Sequence, residues 1–190
     1  MKTLCVFCGS SPGTRPTYTQ AARTLGKTLA ERDLSLVYGG GKVGLMGKLA
    51  DAVLANGGKA TGVMPDFLAA KEIAHPDLSE LHLVASMHER KALMAELADG
   101  FVMLPGGFGT LEEFMEVLTW AQLGLHSKPL GLLNTAGYYD PLLSFFDHAV
   151  REGFVGQTLR DLILESSEPA GLLEAMSHQP AAFDKWAKPE

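Results

Sequence analysis

The sequence alternates short apolar runs with longer segments in which apolar residues recur at helical spacing. The apolar runs are TLCVFCG, LSLVYGG, KATGVMP, LHLVAS, GFVMLP, PLGLLN and LRDLILES. Strands that are apolar throughout and separated by helices are typical of a parallel sheet covered on both faces. The pattern therefore predicts an α/β fold, a Rossmann-like doubly wound parallel sheet of about seven strands in a single domain.

Composition suits one domain, because 46% of the 190 residues are hydrophobic and no linker interrupts the alternation. We expect this domain to cover residues 1–178 and residues 179–190 to be a frayed C-terminal tail. The first apolar run is too short for a signal peptide, and no run reaches the ~20 residues of a membrane span. A cytoplasmic protein without membrane contact is expected. The net charge of −6 argues against a nucleic-acid partner.

Two cysteines, Cys5 and Cys8, have the C-x-x-C spacing of redox and zinc sites. They fall on a predicted strand, where a separation of three places the two thiols on opposite faces. No second cysteine pair or spaced histidine pair completes a zinc site. We therefore expect structural thiols, no metal and no cofactor.

Three glycine-rich loops follow predicted strands, and the carboxyl ends of parallel strands are where ligands bind. Their candidate binding residues are Ser10 and Ser11 in CGSSPG, Gly40 and Gly41 in YGGGKVG, and Gly106, Gly107, Phe108, Gly109 and Thr110 in PGGFGT. Hydroxyls and glycine backbone N–H groups at a helix start suit a phosphate. Several such loops indicate a compact mononucleotide pocket.

A dinucleotide site is the rival interpretation of the second loop. Gly39, Gly41 and Gly44 satisfy G-x-G-x-x-G between a strand and a helix, and Asp66 follows the next strand. That motif alone is weak, so both interpretations stay open at this point.

The helix after the third loop carries a carboxylate, Glu113, that either completes a capping box or faces a ligand. Thr110-x-x-Glu113 has the spacing of a capping box. An apolar stripe, which should face the sheet, comprises Leu111, Phe114, Met115, Leu118 and Gln122. Glu113 and Trp120 lie away from this stripe, so the helix is expected to be covered a second time, by a ligand, another subunit or both.

An arginine interrupts the apolar stripe of the preceding helix. Ser86 and Glu89 form a capping box that opens this helix, and the stripe contains Met87, Leu93, Met94 and Leu97. Arg90 lies within the stripe, where a guanidinium is costly unless it meets an anion. It either extends outward to solvent or points to a phosphate or to a carboxylate such as Glu113.

These segments carry a family resemblance. PGGFGTLEE and MHERK match the motifs P-G-G-x-G-T-x-x-E and M-x-x-R-K without departure, and the similarity runs from about residue 4 to residue 165. The sequence resembles the Lonely Guy (LOG) family, the cytokinin riboside 5′-monophosphate phosphoribohydrolases. The resemblance implies a Rossmann-like homodimer. It also implies hydrolysis of the N-glycosidic bond of adenine-type nucleoside 5′-monophosphates, including AMP, to free base and ribose 5-phosphate.

The resemblance also implies residue roles. Arg90 and Glu113 match the catalytic pair, and Glu72, Lys91, Thr119 and the loop 106–110 match substrate-binding positions. Family members have been labelled possible lysine decarboxylases, but no lysine is evidently placed for a pyridoxal Schiff base. A non-catalytic nucleotide- or dinucleotide-binding module is the alternative.

Overall fold

The structure, a computed structural model, describes residues 1–69 and 74–179. Within these ranges seven parallel strands form one sheet, in the order β4-β3-β2-β1-β5-β6-β7. The strands are β1 (Thr3–Phe7), β2 (Ser35–Tyr38), β3 (Ala60–Pro65), β4 (Glu80–Val84), β5 (Gly100–Met103), β6 (Leu130–Leu133) and β7 (Ile163–Ser166). The predicted fold class and all seven predicted strands are confirmed.

Helices cover both faces of this sheet. They are α1 (Pro16–Glu31), α2 (Gly44–Ala55), α3 (Asp66–Ala69), α4 (Met87–Leu97), α5 (Phe108–Gln122), α6 (Asp140–Arg151), α7 (Gln157–Arg160) and α8 (Pro169–Ser177). Buried residues of α1, α2 and α8 pack on one face, and those of α4, α5 and α6 pack on the other. The short helices α3 and α7 were not predicted, because one turn is too brief to show a helical period.

The two cysteines lie on opposite sides of the sheet, as predicted. Cys5 belongs to the core cluster beneath α4, α5 and α6, and Cys8 to the cluster beneath α1 and α2. Both are free and buried. Among the described residues no group of three or more His, Cys, Asp or Glu could hold a metal ion.

The sheet reverses its winding between β1 and β5. Strands β2, β3 and β4 extend the sheet in one direction from β1, whereas β5, β6 and β7 extend it in the other. The loops that leave β1 and β5 must therefore diverge to opposite faces, which opens a crevice at the carboxyl ends of these two strands. Two of the three predicted glycine loops border this crevice.

The chain is anchored to the sheet through Gln179. Its side-chain Oε1 accepts from the Leu130 N–H (3.2 Å) and its Nε2 donates to the Leu162 carbonyl (2.8 Å). Most of the predicted tail, residues 180–190, lies outside the described residues. In the described ranges no helix has both the length and the apolar character needed to cross a membrane.

Candidate active site

A cleft of about 320 Å³ lies at the carboxyl ends of β1 and β5. It is lined by the segment Gly9–Gly13 of the β1–α1 loop, the segment Pro105–Gly107 of the β5–α5 loop, and Tyr18, Leu45 and Tyr138. We call it the switch-point cleft. The Gly9 N–H donates to the Pro105 carbonyl (3.1 Å) and joins its two loops. The predicted phosphate-binding residues Ser10, Ser11, Gly106 and Gly107 are thereby brought together.

The start of α5 differs from the predicted capping box. The helix begins at Phe108 with Gly107 as its N-cap, and no side chain of the described residues caps it. Thr110 is therefore inside the first turn and is buried, and the prediction that it caps Glu113 is wrong. Its Oγ1 occupies the space that a Cβ on Gly106 would need. Glycine at 106 thus allows the loop to lie directly on the helix.

The buried stripe of α5 is also rotated from the predicted one. Phe114, Val117 and Ala121 are buried, together with Thr110, and they follow one another at the i, i+3 and i+4 spacings of one helix face. Met115, which was predicted to face the sheet, is 37% exposed. The prediction was wrong because the helix has apolar residues on two faces, and periodicity cannot decide which face meets the sheet.

The side chain of Arg90 is buried, as the second interpretation of the stripe predicted. Only 8% of the residue is exposed, and Nη1 contacts the Met87 sulfur (3.7 Å). The guanidinium lies against the end of β2, where a Cβ on residue 39 would overlap Nη2. Gly39 therefore makes room for the arginine.

Arg90 and Glu113 form a buried ion pair. Nη2 of Arg90 lies 3.6 Å from Oε1 of Glu113, and the two side chains are 9% and 12% exposed. Burial raises the pKa of the thiols of Cys5 and Cys8, and the charge of Glu113 raises both further. Arg90 lies against Gly39, the residue after β2, so the ion pair is at the carboxyl edge of the sheet, the edge at which the switch-point cleft opens. A buried ion pair at this position can bind and polarise a ligand.

Glycines of the second glycine loop pack against other segments of the protein. A Cβ on Gly44 would meet the backbone of Ser10, and Gly40 adopts a positive φ of 79°. The Gly40 carbonyl accepts from the His75 N–H (3.0 Å), and Gly41 forms a β-bridge with Ala74. Gly39 and Gly44 thus accommodate a side chain and a neighbouring loop, not the pyrophosphate that the dinucleotide interpretation requires.

Comparisons with known proteins identify the family of this chain. The family model described as "Possible lysine decarboxylase" matches residues 46–176. The Arabidopsis thaliana protein named cytokinin riboside 5′-monophosphate phosphoribohydrolase LOG7 is 50% identical over 184 residues, which cover 97% of this chain and 85% of the relative. The Oryza sativa subsp. japonica protein of that name, LOG, is 52% identical over 163 residues, covering 86% of this chain and 67% of the relative. This chain belongs to the LOG family.

Solved structures share the fold at lower identity. The molybdenum cofactor carrier protein of Chlamydomonas reinhardtii is 20% identical, with a TM-score of 0.69 and coverage of 92% of this chain and 95% of that chain. The molybdenum cofactor binding protein of Rippkaea orientalis gives the same TM-score at 21% identity, covering 93% and 96% of the two chains. At such identities the likeness supports the Rossmann-like fold of this LOG protein and nothing about its ligand.

Lys91, a substrate-binding position by resemblance to the LOG family, contacts two acids of α5. Its Nζ donates to Oε1 of Glu112 (2.5 Å) and of Glu116 (3.0 Å), and its side chain is 10% exposed. Partial burial alone would lower the pKa of Lys91, but these two carboxylates together raise it. A Schiff-base lysine needs a lowered pKa. The decarboxylase label therefore finds no support at this lysine.

Two further LOG-type positions, Thr119 and Phe108, are not among the residues that line the switch-point cleft. Thr119 lies about three turns along α5 from Gly107. Its hydroxyl donates to the Met115 carbonyl (2.7 Å). Phe108 is 93% exposed at the first position of α5. Glu72 lies outside the described residues.

Two aromatic cleft residues of this LOG protein were not predicted from the sequence. Tyr18 and Tyr138 line the switch-point cleft, and their rings meet edge to face with centroids 5.6 Å apart. Tyr138 belongs to TAGYYDP, whose Gly and Asp-Pro indicate a turn. The sequence therefore indicated a turn, but nothing local in the sequence shows that this turn contacts the loop between β5 and α5.

Proposed function

We propose that this protein hydrolyses the N-glycosidic bond of adenine-type nucleoside 5′-monophosphates and releases free base and ribose 5-phosphate. The observation that carries the proposal is the buried Arg90–Glu113 pair beside a glycine-lined cleft. The names of the curated relatives describe the same class of reaction.

The switch-point cleft is suited to the 5′-phosphate. It combines the start of α5, whose first N–H groups have no partner within the helix, with Ser10 and Ser11. The helix dipole adds partial positive charge at the same end. Backbone N–H groups therefore bind the anion in a protein whose net charge is negative.

Glu113 is proposed as the catalytic carboxylate. Breaking a ribosyl bond develops oxocarbenium-like positive charge on the sugar, which a carboxylate stabilises. Glu113 either provides this stabilisation or accepts a proton from the attacking water. The water supplies the hydroxyl on the anomeric carbon, and a proton goes to the departing base.

Arg90 is proposed to orient Glu113 and to balance its charge. Their ionic contact of 3.6 Å is long, and the Nε of Arg90 is buried without a hydrogen-bond partner among the described residues. A buried donor of this kind costs free energy unless it donates a hydrogen bond. The guanidinium therefore has hydrogen-bonding capacity for substrate. Glu72 and Lys91 remain proposed substrate contacts by family resemblance, and Gly40 and Gly41 remain proposed contacts as part of a glycine-rich loop.

A homodimer is proposed from the second apolar face of α5. This face borders an apolar groove formed with α6, α7 and β7 and lined by Met115, Leu118, Phe146, Leu159, Leu162 and Ile163. Thr119 lies on the same face. A second copy packed here would place Thr119 in the interface.

The cytoplasmic location expected from the sequence stays a prediction.

The test is hydrolysis of AMP and of N6-isopentenyl AMP by the wild type and by Glu113→Gln. Chromatography measures the released base. We expect the variant to lose about 100-fold or more in kcat while nucleotide binding persists. Glu31→Gln, which changes an exposed carboxylate of α1, is the matched control.

The outcomes separate the alternatives. Normal hydrolysis by Glu113→Gln would show that Glu113 is not catalytic. Nucleotide binding by the wild type without turnover would favour a non-catalytic module, and tight NAD binding without cleavage of either nucleotide would favour the dinucleotide interpretation. A panel of nucleoside monophosphates then identifies the preferred base.

A further inference from the structure

The loop between β5 and α5 is held by groups outside it. Three successive carbonyls each accept a hydrogen bond from another part of the chain. They are Leu104 from the Tyr139 hydroxyl (2.7 Å), Pro105 from the Gly9 N–H (3.1 Å) and Gly106 from the Tyr138 hydroxyl (2.7 Å). Two of these three donors are adjacent tyrosines of one short turn.

Fixing a carbonyl also fixes an N–H group. A peptide unit is planar and trans, so its C=O and the N–H of the next residue point in opposite directions. Because Tyr138 holds the Gly106 carbonyl, the Gly107 N–H is directed away from Tyr138. The Gly106 N–H is likewise directed away from Gly9. These two amides lie at the start of α5, where the anion is proposed to bind.

The turn that carries the tyrosines is itself rigid. Ala136 and Gly137 have positive φ angles of 55° and 68°. The Asn134 side chain accepts from the Tyr139 N–H (2.8 Å) and donates to Asp140 (2.7 Å). The Asn134 N–H donates to the Ser166 carbonyl next to it in the sheet (2.8 Å). The positions of both hydroxyls are thus set by the end of the sheet.

The two tyrosines differ in exposure. Tyr139 is buried, with 3% of its surface exposed, whereas Tyr138 is 41% exposed and forms part of the wall of the switch-point cleft. The Tyr138 ring packs against Tyr139, with centroids 4.8 Å apart, and against Tyr18. Tyr138 therefore links the buried Tyr139 to the wall of the switch-point cleft, where the phosphate is proposed to bind.

We infer that Tyr138 and Tyr139 are positioning residues that pre-organise the Gly106 and Gly107 amides for the phosphate of the substrate. The identity of the anion as a nucleotide phosphate rests on the proposed function. The tyrosines act through the loop, so their effect belongs to phosphate binding and not to cleavage of the glycosidic bond. A pre-organised loop binds without first paying the ordering entropy of a mobile one.

Tyr138→Phe tests this role because it removes one hydroxyl and keeps the ring. We expect the Kd for ribose 5-phosphate, measured by calorimetry, to rise about threefold to tenfold, the range for one net hydrogen bond. KM for the nucleotide should rise by a similar factor with kcat nearly unchanged. The Kd for the corresponding nucleoside, which has no phosphate, should be unaffected.

Tyr38→Phe is the matched control. Its hydroxyl is buried and has no hydrogen-bond partner among the described residues, so its removal should leave the Kd unchanged. Tyr139→Phe should raise the Kd and also lower Tm, because the Leu104 carbonyl loses its partner in the core. A lowered Tm with an unchanged Kd would overturn the role of Tyr139.

Binding and turnover keep the two proposals distinguishable. If the wild type binds ribose 5-phosphate but cleaves no nucleotide, the proposed function fails while the Kd of Tyr138→Phe still decides the positioning role. An unchanged Kd for ribose 5-phosphate in Tyr138→Phe overturns that role, as does an equal rise in the Kd for the nucleoside. Failure of the wild type to bind either ribose 5-phosphate or inorganic phosphate also overturns it.

Discussion

A single arginine links the core of this protein to its candidate chemistry. Arg90 occupies a buried position on α4 where an apolar residue would be ordinary, and it meets Glu113 across the space between two helices. A buried charge is expensive unless it is paired and hydrogen-bonded. A substrate that accepts hydrogen bonds from Arg90 would complete the set of partners of its guanidinium. The glycine at position 39 is what allows the guanidinium to fit.

Gly39→Ala should therefore impair activity without altering any charged group. The added Cβ overlaps Nη2 of Arg90, so the guanidinium must move away from β2. We expect kcat to fall by about 10-fold to 100-fold, as misplacement of catalytic groups by about 1 Å can cause. Steady-state hydrolysis measures the effect. Gly156→Ala is the control, because no atom of the described residues lies within 4 Å of the added Cβ. Equal activity of both variants would contradict the proposed placement of Arg90.

At the scale of elements, the contact between α4 and α5 carries three ion pairs in two adjacent sets. Arg90 meets Glu113, and the next residue, Lys91, meets Glu112 and Glu116. Both sets join the same two helices, one turn or less apart. Glu116 Oε2 is also buried without a hydrogen-bond partner among the described residues. Lys91 is consequently the cation that neutralises this part of the contact.

Lys91→Met should destabilise the protein as well as affect activity. It leaves two carboxylates, one of them largely buried, without their cation, and we expect a loss of about 1–3 kcal/mol in the free energy of unfolding. Urea denaturation measures it. Lys27→Met, which removes an exposed i,i+4 pair with Glu31, should cause no measurable change. A stable Lys91→Met variant that loses only substrate affinity would favour a direct substrate role for Lys91.

At the scale of the whole molecule, the sheet order decides which loops meet. The reversal between β1 and β5 brings together loops that are about 100 residues apart in the sequence. The opposite surface of α5 remains outside this site. Its groove with α6, α7 and β7 is apolar, and exposed apolar patches of this kind mark interfaces.

Met115→Glu should therefore convert a homodimer to a monomer. The side chain is 37% exposed in the single chain, so the charge is tolerated by the fold but not by an apolar interface. Sedimentation should report twice the monomer mass for the wild type and the monomer mass for the variant. Leu97→Glu is a control of matched exposure (36%) on α4. A monomeric wild type would contradict the proposed dimer.

Local sequence patterns predicted the strands and helices of this protein but not how each helix is oriented on the sheet. The strands and long helices were predicted because burial on both faces leaves continuous apolar runs, and burial on one face leaves a helical period. Arg90 was identified because one charge interrupted such a period. The orientation of α5 was predicted wrongly because both of its faces carry apolar residues, and local periodicity does not rank them.

By itself, the sequence determined the α/β class, the seven strands, the opposite placement of Cys5 and Cys8, and the candidate pair Arg90 and Glu113. These depend on local patterns and motifs. Only the tertiary structure decided that Gly107 caps α5, that Gly39 accommodates Arg90, and that two tyrosines hold the glycine loop. The last two are contacts between segments distant in the chain. They depend on how the sheet and helices pack, and local periodicity does not encode that packing.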